Sequence, residues 1–232
     1  MVSGKPPSPD NASRHTMAAV LKLLRRAYGS RSCEPTGDPV ATLMGTILSQ
    51  NTNQANSTSG YRRLREQFAS WQEMADAPVA KIVECIRTSG LAETKAPRMR
   101  SILRRIRAER GKITLSFLAE MPPEQAYDYL VAMNGVGPKT AWCVLLFALG
   151  AEVFPVDTHI HRIAVRLGII APRTSPERAH HILRPLIRPA DRYETHVLLI
   201  AHGRRKCLPK RPKCDLCNLL KLCPHGQRLL DR

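Results

Sequence analysis

The sequence predicts an all-α protein, on three observations. Apolar residues recur at spacings of three and four along nearly the whole chain, and no segment shows the strict alternation of a half-buried strand. Aromatic residues make up only 5%, few for a sheet-based core. With 232 residues, 43% of them hydrophobic, the chain is long enough to bury one or two sizeable cores.

The elements follow in order. The first fifteen residues carry Gly4, Pro6, Pro7 and Pro9 with no apolar stretch, so they read as a disordered arm and not as a signal peptide. Thr16 caps a first helix that bears Val20, Leu23, Leu24 and Ala27 and stops at Gly29. Asp38 as N-cap and Pro39 as first helical residue open a second, lined by Val40, Leu43, Met44 and Ile47. Tyr61, Leu64 and Phe68 mark the next, and Ser70 with Glu73 makes a capping box. Met99, Ile102, Leu103 and Ile106 line one face of a strongly basic helix. Further helices are expected at about 122–133, 139–149, 158–167, 176–187 and 192–202, each opened by a Pro, a cap residue or both. Short loops join them, and no fixed-period repeat is present.

Thirty-six Lys and Arg against 19 Asp and Glu leave a net charge of +17, a self-repulsion that a polyanion offsets. Nucleic acid is the expected partner, ahead of an anionic membrane surface. The longest apolar run, Ala141 to Ala151, is about half the roughly 20 residues that span a bilayer, so no membrane role and an intracellular location are expected.

Seven cysteines, an odd number, argue against a fully paired disulfide framework. Cys33, Cys85 and Cys143 are isolated, and the last two fall in apolar helical patterns where a thiol packs as a small core residue. The other four, Cys207, Cys214, Cys217 and Cys223, crowd into 17 residues. Four soft donors on a compact loop can enclose a thiophilic metal centre, either tetrahedral zinc or a four-iron cluster. Spacing leans only mildly to the cluster, because structural zinc usually takes two close Cys pairs. Lys210, Arg211 and Lys213 lie in the first gap, where a tethered loop would present them to phosphate.

A second constellation is the turn Asn134-Gly135-Val136-Gly137 between an apolar helix and one that starts at Pro138. Such a hairpin offers backbone N–H groups at the positive end of the second helix, a phosphate cradle without sequence preference. Lys139 sits in that first turn, where a cation is disfavoured, which suits an amine that must react unprotonated; a plain phosphate-binding lysine is the other reading. Asp157 follows the apolar stretch Val153 to Val156 as N-cap of the next helix, and a carboxylate held there could also stabilise a sugar cation.

The hairpin with "NGVGPKTA", the "PVDTHIHR" segment about eighteen residues later and the Cys-x6-Cys-x2-Cys-x5-Cys terminus, in this order, resemble the endonuclease III family of helix-hairpin-helix DNA glycosylases. The similarity covers the chain from about residue 17 onward. It implies two helical lobes, a six-helix barrel over 32–151 ending in the hairpin and a cluster lobe from 16–31 and 152–232, with a DNA-binding cleft between them. It implies a [4Fe-4S] cluster on the four cysteines, Lys139 as nucleophile and Asp157 as catalytic carboxylate.

The resemblance further implies a monomer that acts on double-stranded DNA holding a damaged base or abasic site. Ring-saturated pyrimidines would be removed through a lysine Schiff base and the strand nicked by β-elimination. Gly135, Val136, Gly137 and Thr140 would cradle the backbone; Gln50, Asn51, Leu91 and His159 would fill the hole left by a flipped nucleotide. A relative that excises adenine lacks lysine at this position, which sets that reading aside. Two alternatives remain: a non-catalytic DNA-binding module holding zinc, and a family member acting mainly on abasic sites. The chain departs from the family pattern at Asn134, where Pro is usual, and at Pro138, where a basic residue is usual. In "LSQNT" Asn51 stands where a longer Gln is typical.

Overall fold

The computed structural model describes residues 11–32 and 34–231. All regular structure among them is helical: α1 (Asn11–Tyr28), α2 (Pro39–Ser49), α3 (Gln54–Gln67), α4 (Trp71–Asp76), α5 (Val79–Ile86), α6 (Ala92–Arg110), α7 (Pro123–Val131), α8 (Pro138–Leu149), α9 (Thr158–Arg166), α10 (Pro176–Leu183), α11 (Arg192–Arg205) and α12 (Pro224–Leu230), with short 3-10 turns between some of them. Contacts divide the chain into a continuous unit, Glu34–Ala151, and a discontinuous one that joins the N-terminal helix to residues 152–232. None of the described helices is long and apolar enough to cross a membrane.

In the continuous unit α2 packs on α8 and α3, and α5 packs on α3 and α6. The apolar positions that predicted these helices form its core: Leu43, Met44, Ile47, Leu64, Met99 and Leu103 are fully buried. The predicted caps are in place. Asp38 accepts the Ala41 N–H at 2.9 Å ahead of Pro39, and Ser70 accepts the Glu73 N–H at 3.1 Å. The Glu73 carboxylate reaches back one residue further than a capping box asks, to the Ala69 N–H.

Much of the positive charge on α6 is engaged inside this unit. Arg100 and Arg104 donate to the carbonyls of Ala77 and Ala75, and Arg107 forms a two-pronged ion pair with Asp76. Three guanidiniums therefore neutralise the carbonyl end of α4, the negative end of that helix.

In the discontinuous unit Val20 and Leu24 of α1 pack with Phe154, Ile160, Leu183 and Leu198. Arg25 donates to Asp191 and Glu194, and Glu194 also accepts the Arg31 N–H. Burial works against both acids, but Arg25, with Arg188 at Asp191, holds their carboxyls below the usual range.

Two boundaries differ from the sequence reading. Of the expected disordered arm, residues 1–10 lie outside the described residues, and residues 11–15 are the first turns of α1. Thr16 is therefore no cap; its hydroxyl bonds the Ala12 carbonyl inside the helix. The helix expected over 176–187 ends at Leu183 and tightens into a 3-10 turn over Arg184–Leu186, because Pro185 supplies no N–H. Cys85 and Cys143 are buried as expected, while Cys33 lies outside the described residues.

Candidate active site and nucleic-acid interface

The hairpin joins α7 to α8 in the continuous unit. Gly135 has φ +85°, a backbone conformation that favours glycine, and a Cβ there would lie 2.0 Å from the Arg98 side chain, which would have to swing aside. Arg98, which the sequence did not single out, thereby lies against the turn. Val136 departs from the expectation of an open cradle: its side chain is buried and its N–H bonds the Met133 carbonyl. What remains for an anion is the start of α8, which opens on Gly137 and Pro138 with no side-chain cap. Pro138 at the first helical position leaves that helix intact.

Lys139 is the second residue of α8 and half-buried. Thr140, next to it, is buried, and its hydroxyl accepts from the Gln50 amide at 3.2 Å. Gln50 is thus tied to the hairpin helix beside Lys139, and the Thr140 hydroxyl is engaged within the protein.

The loops that carry Asn51 and Leu91 meet in the same unit. Asn51 and Leu91 have φ of +52° and +53°, and they are the two left-handed non-glycine residues among those described. Asn51 follows the C-cap of α2, and Leu91 precedes α6, where its side chain is 56% exposed. Gly90 stands between them, close enough that a Cβ there would touch the Asn51 carbonyl at 3.6 Å. The left-handed backbone explains Asn at position 51, since Asn tolerates that region better than Gln does.

Lys95, unnoticed in the sequence, is 2% exposed and donates to the carbonyls of Leu48 and Ser89, each at 2.8 Å. Its burial pushes its pKa below that of an ordinary lysine. A signal was present: residues 95, 99, 102 and 106 fall on one helical stripe, and the first of them is charged.

In the discontinuous unit Asp157 caps α9, accepting the Ile160 N–H at 2.8 Å, and is half-buried. His159 lies against Gly203, where a Cβ would come within 2.8 Å of its ring, and its Nδ1 faces Arg162 at 3.0 Å. It belongs to a different unit from Gln50, Asn51 and Leu91, and its ring is held by α11 and Arg162.

Cys207, Cys214, Cys217 and Cys223 line one cavity together with Arg166, His202 and Gly226. Burial and the neighbouring thiols push Cys214 and Cys217 up. Donors nevertheless converge on sulfur: Arg166 donates to Cys207 Sγ at 3.1 Å and the Gly226 N–H to Cys223 Sγ at 3.4 Å. His202 Nε2 stands 3.5 Å from Cys217 Sγ, while Tyr28 holds its Nδ1 at 3.0 Å. Burial pushes His202 down to about 4, so the ring is neutral at physiological pH. Among the described residues no three His, Cys, Asp or Glu side chains close on a point as one metal ion would need.

The exposed Lys210, Arg211 and Lys213 ride on the loop after Cys207. Arg166 also bonds the Leu208 and Pro209 carbonyls and Arg162 the Cys207 carbonyl, so side chains of α9 fix the start of that loop.

The family of HhH-GPD superfamily base excision DNA repair proteins matches residues 44–189. Endonuclease III of Sulfolobus acidocaldarius is 30% identical over 83% of this chain and 85% of its own length. Endonuclease III of Thermotoga maritima is 33% identical, over 82% and 85% respectively. A DNA-glycosylase homologue of Arabidopsis thaliana is 35% identical over 70% of this chain, which spans 55% of that protein. A solved endonuclease III–DNA complex superposes with a TM-score of 0.82 at 25% identity, covering 94% of this chain and 99% of that one. These matches place this protein in the HhH-GPD superfamily of base excision DNA repair enzymes and, within it, in the endonuclease III family.

Proposed function

We propose that the protein is a bifunctional DNA glycosylase and abasic-site lyase that removes ring-saturated pyrimidines from double-stranded DNA. The observation that carries this reading is the primary amine of Lys139 at the uncapped start of α8, directly after the hairpin. The hairpin end of α8 holds a backbone phosphate, which sets the damaged nucleotide near the amine. A base inside a duplex is out of reach, so the nucleotide is extruded and the exposed Leu91 and Asn51 enter the gap.

The Lys139 amine attacks the anomeric carbon, the glycosidic bond breaks, and the base leaves with the bonding electrons and takes up a proton. The sugar ring opens to a Schiff base on Lys139. Asp157, anionic, stabilises the positive charge that develops on the sugar. The imine acidifies the adjacent sugar carbon; loss of that proton expels the 3′ phosphate by β-elimination, and water then releases the lysine.

The test is a panel of duplexes with one thymine glycol, dihydrouracil, uracil or abasic site, scored separately for base release and strand scission. Thymine glycol and dihydrouracil should be released well ahead of uracil, because saturated rings stack poorly and flip at least cost. Abasic sites should be nicked efficiently. Preference for uracil, or release without scission, would overturn the reading.

The four cysteines are the residues that would hold a [4Fe-4S] cluster. An all-sulfur donor set, N–H groups directed at two of the sulfurs and thiols ringing a cavity fit such a centre. When bound, it would rigidify the loop carrying Lys210, Arg211 and Lys213, which then contacts phosphate. Anaerobically purified protein should be brown, with iron and acid-labile sulfide in equal amounts; colourless protein containing zinc would reject the cluster.

A further inference from the structure

A buried ammonium with no carboxylate beside it costs free energy that an apolar side chain of the same length would not. Among the described residues Lys95 is in that position: its acceptors are the last-turn carbonyl of α2 at Leu48 and the carbonyl of Ser89, which ends the 3-10 turn before Gly90. Both are helix-end carbonyls, the kind of group a cation satisfies well. Each acceptor lies two or three residues from a left-handed residue, Leu48 from Asn51 and Ser89 from Leu91. The Lys95 N–H also bonds the Leu91 carbonyl at 2.9 Å. Ser89 is fixed in turn, its hydroxyl donating to the Asn56 carbonyl, with Gly60 leaving it room. Non-glycine residues keep a left-handed backbone only where the surroundings over-determine it.

We propose that Lys95 is a positioning residue that clamps the two insertion loops into one rigid wedge, holding Asn51 and Leu91 ready to enter the base stack. This inference rests on the proposed glycosylase function. Lys95 does not touch the reacting atoms; it acts through the two loops. Its loss should therefore matter most where a paired or stacked base must still be displaced, and less at an abasic site that needs no such help.

A double-mutant cycle tests this in the full-length chain, using single-turnover rates on a thymine glycol duplex and on a preformed abasic site. Lys95→Met keeps the packing and removes the clamp, and should slow base release by about tenfold and abasic nicking by much less. Leu91→Ala should act similarly. The double variant should be no slower than the slower single one, because a clamp has nothing to position once the wedge is gone. A general loosening of the fold would instead multiply with Leu91→Ala and slow both substrates alike, and that result overturns the proposal. Should Lys95→Met fail to fold, Lys95→Gln, which keeps an amide donor, carries the same cycle. A parent protein inactive on every lesion would overturn the glycosylase reading and this inference together, whereas an active parent with multiplying losses overturns the inference alone.

Discussion

Lys139→Gln should abolish covalent capture of the protein on abasic DNA under borohydride and lower base release by at least about a thousandfold, because no other group would supply the amine that forms the Schiff base. Glutamine is one atom shorter but has a similar helix propensity, so α8 should form as before. Removing a cation from the second position of a helix should even stabilise the fold slightly, by about 0.3–1 kcal/mol. The signature is therefore a lost reaction with an unchanged or raised melting temperature. Binding to undamaged duplex should survive, since the uncapped N–H groups of α8 remain. If the variant is trapped as efficiently as the parent, the nucleophile is another amine.

Asp157→Asn separates a cap from a charge. The carboxylate accepts the Ile160 N–H at 2.8 Å, a role that asparagine fills almost as well, so the variant should melt within about 0.5 kcal/mol of the parent. Base release should nevertheless fall by about a hundredfold or more, because a neutral amide cannot stabilise a sugar cation. Asp157→Ala should lose the same rate and in addition about 1 kcal/mol of stability with the cap. An asparagine variant that melts and excises like the parent would leave Asp157 a cap alone.

Local chemistry made much of this legible in the sequence. Asp38 with Pro39, Ser70 with Glu73 and Asp157 before an apolar helix each signal a helix start through a side chain and the next three residues, and each is in place. The hairpin was equally readable, because a turn is specified within a few residues, and the closely spaced cysteines do line one cavity. Thr16 misled because a threonine hydroxyl caps a helix or bonds backward within one, and only the observed backbone distinguishes the two.

The sequence by itself determined the helical class, part of both cores and the candidates Lys139, Asp157 and the four cysteines, since periodicity and capping act over a turn or two of chain. Only the tertiary structure decided which polar groups are engaged. Lys95 reaches Leu48 across 47 positions, three arginines of α6 meet the end of α4, Gln50 meets Thr140 across 90, and His202 comes between Tyr28 and Cys217. Such partners are distant along the chain, and a buried polar group takes whichever acceptor the packing of apolar faces brings within reach.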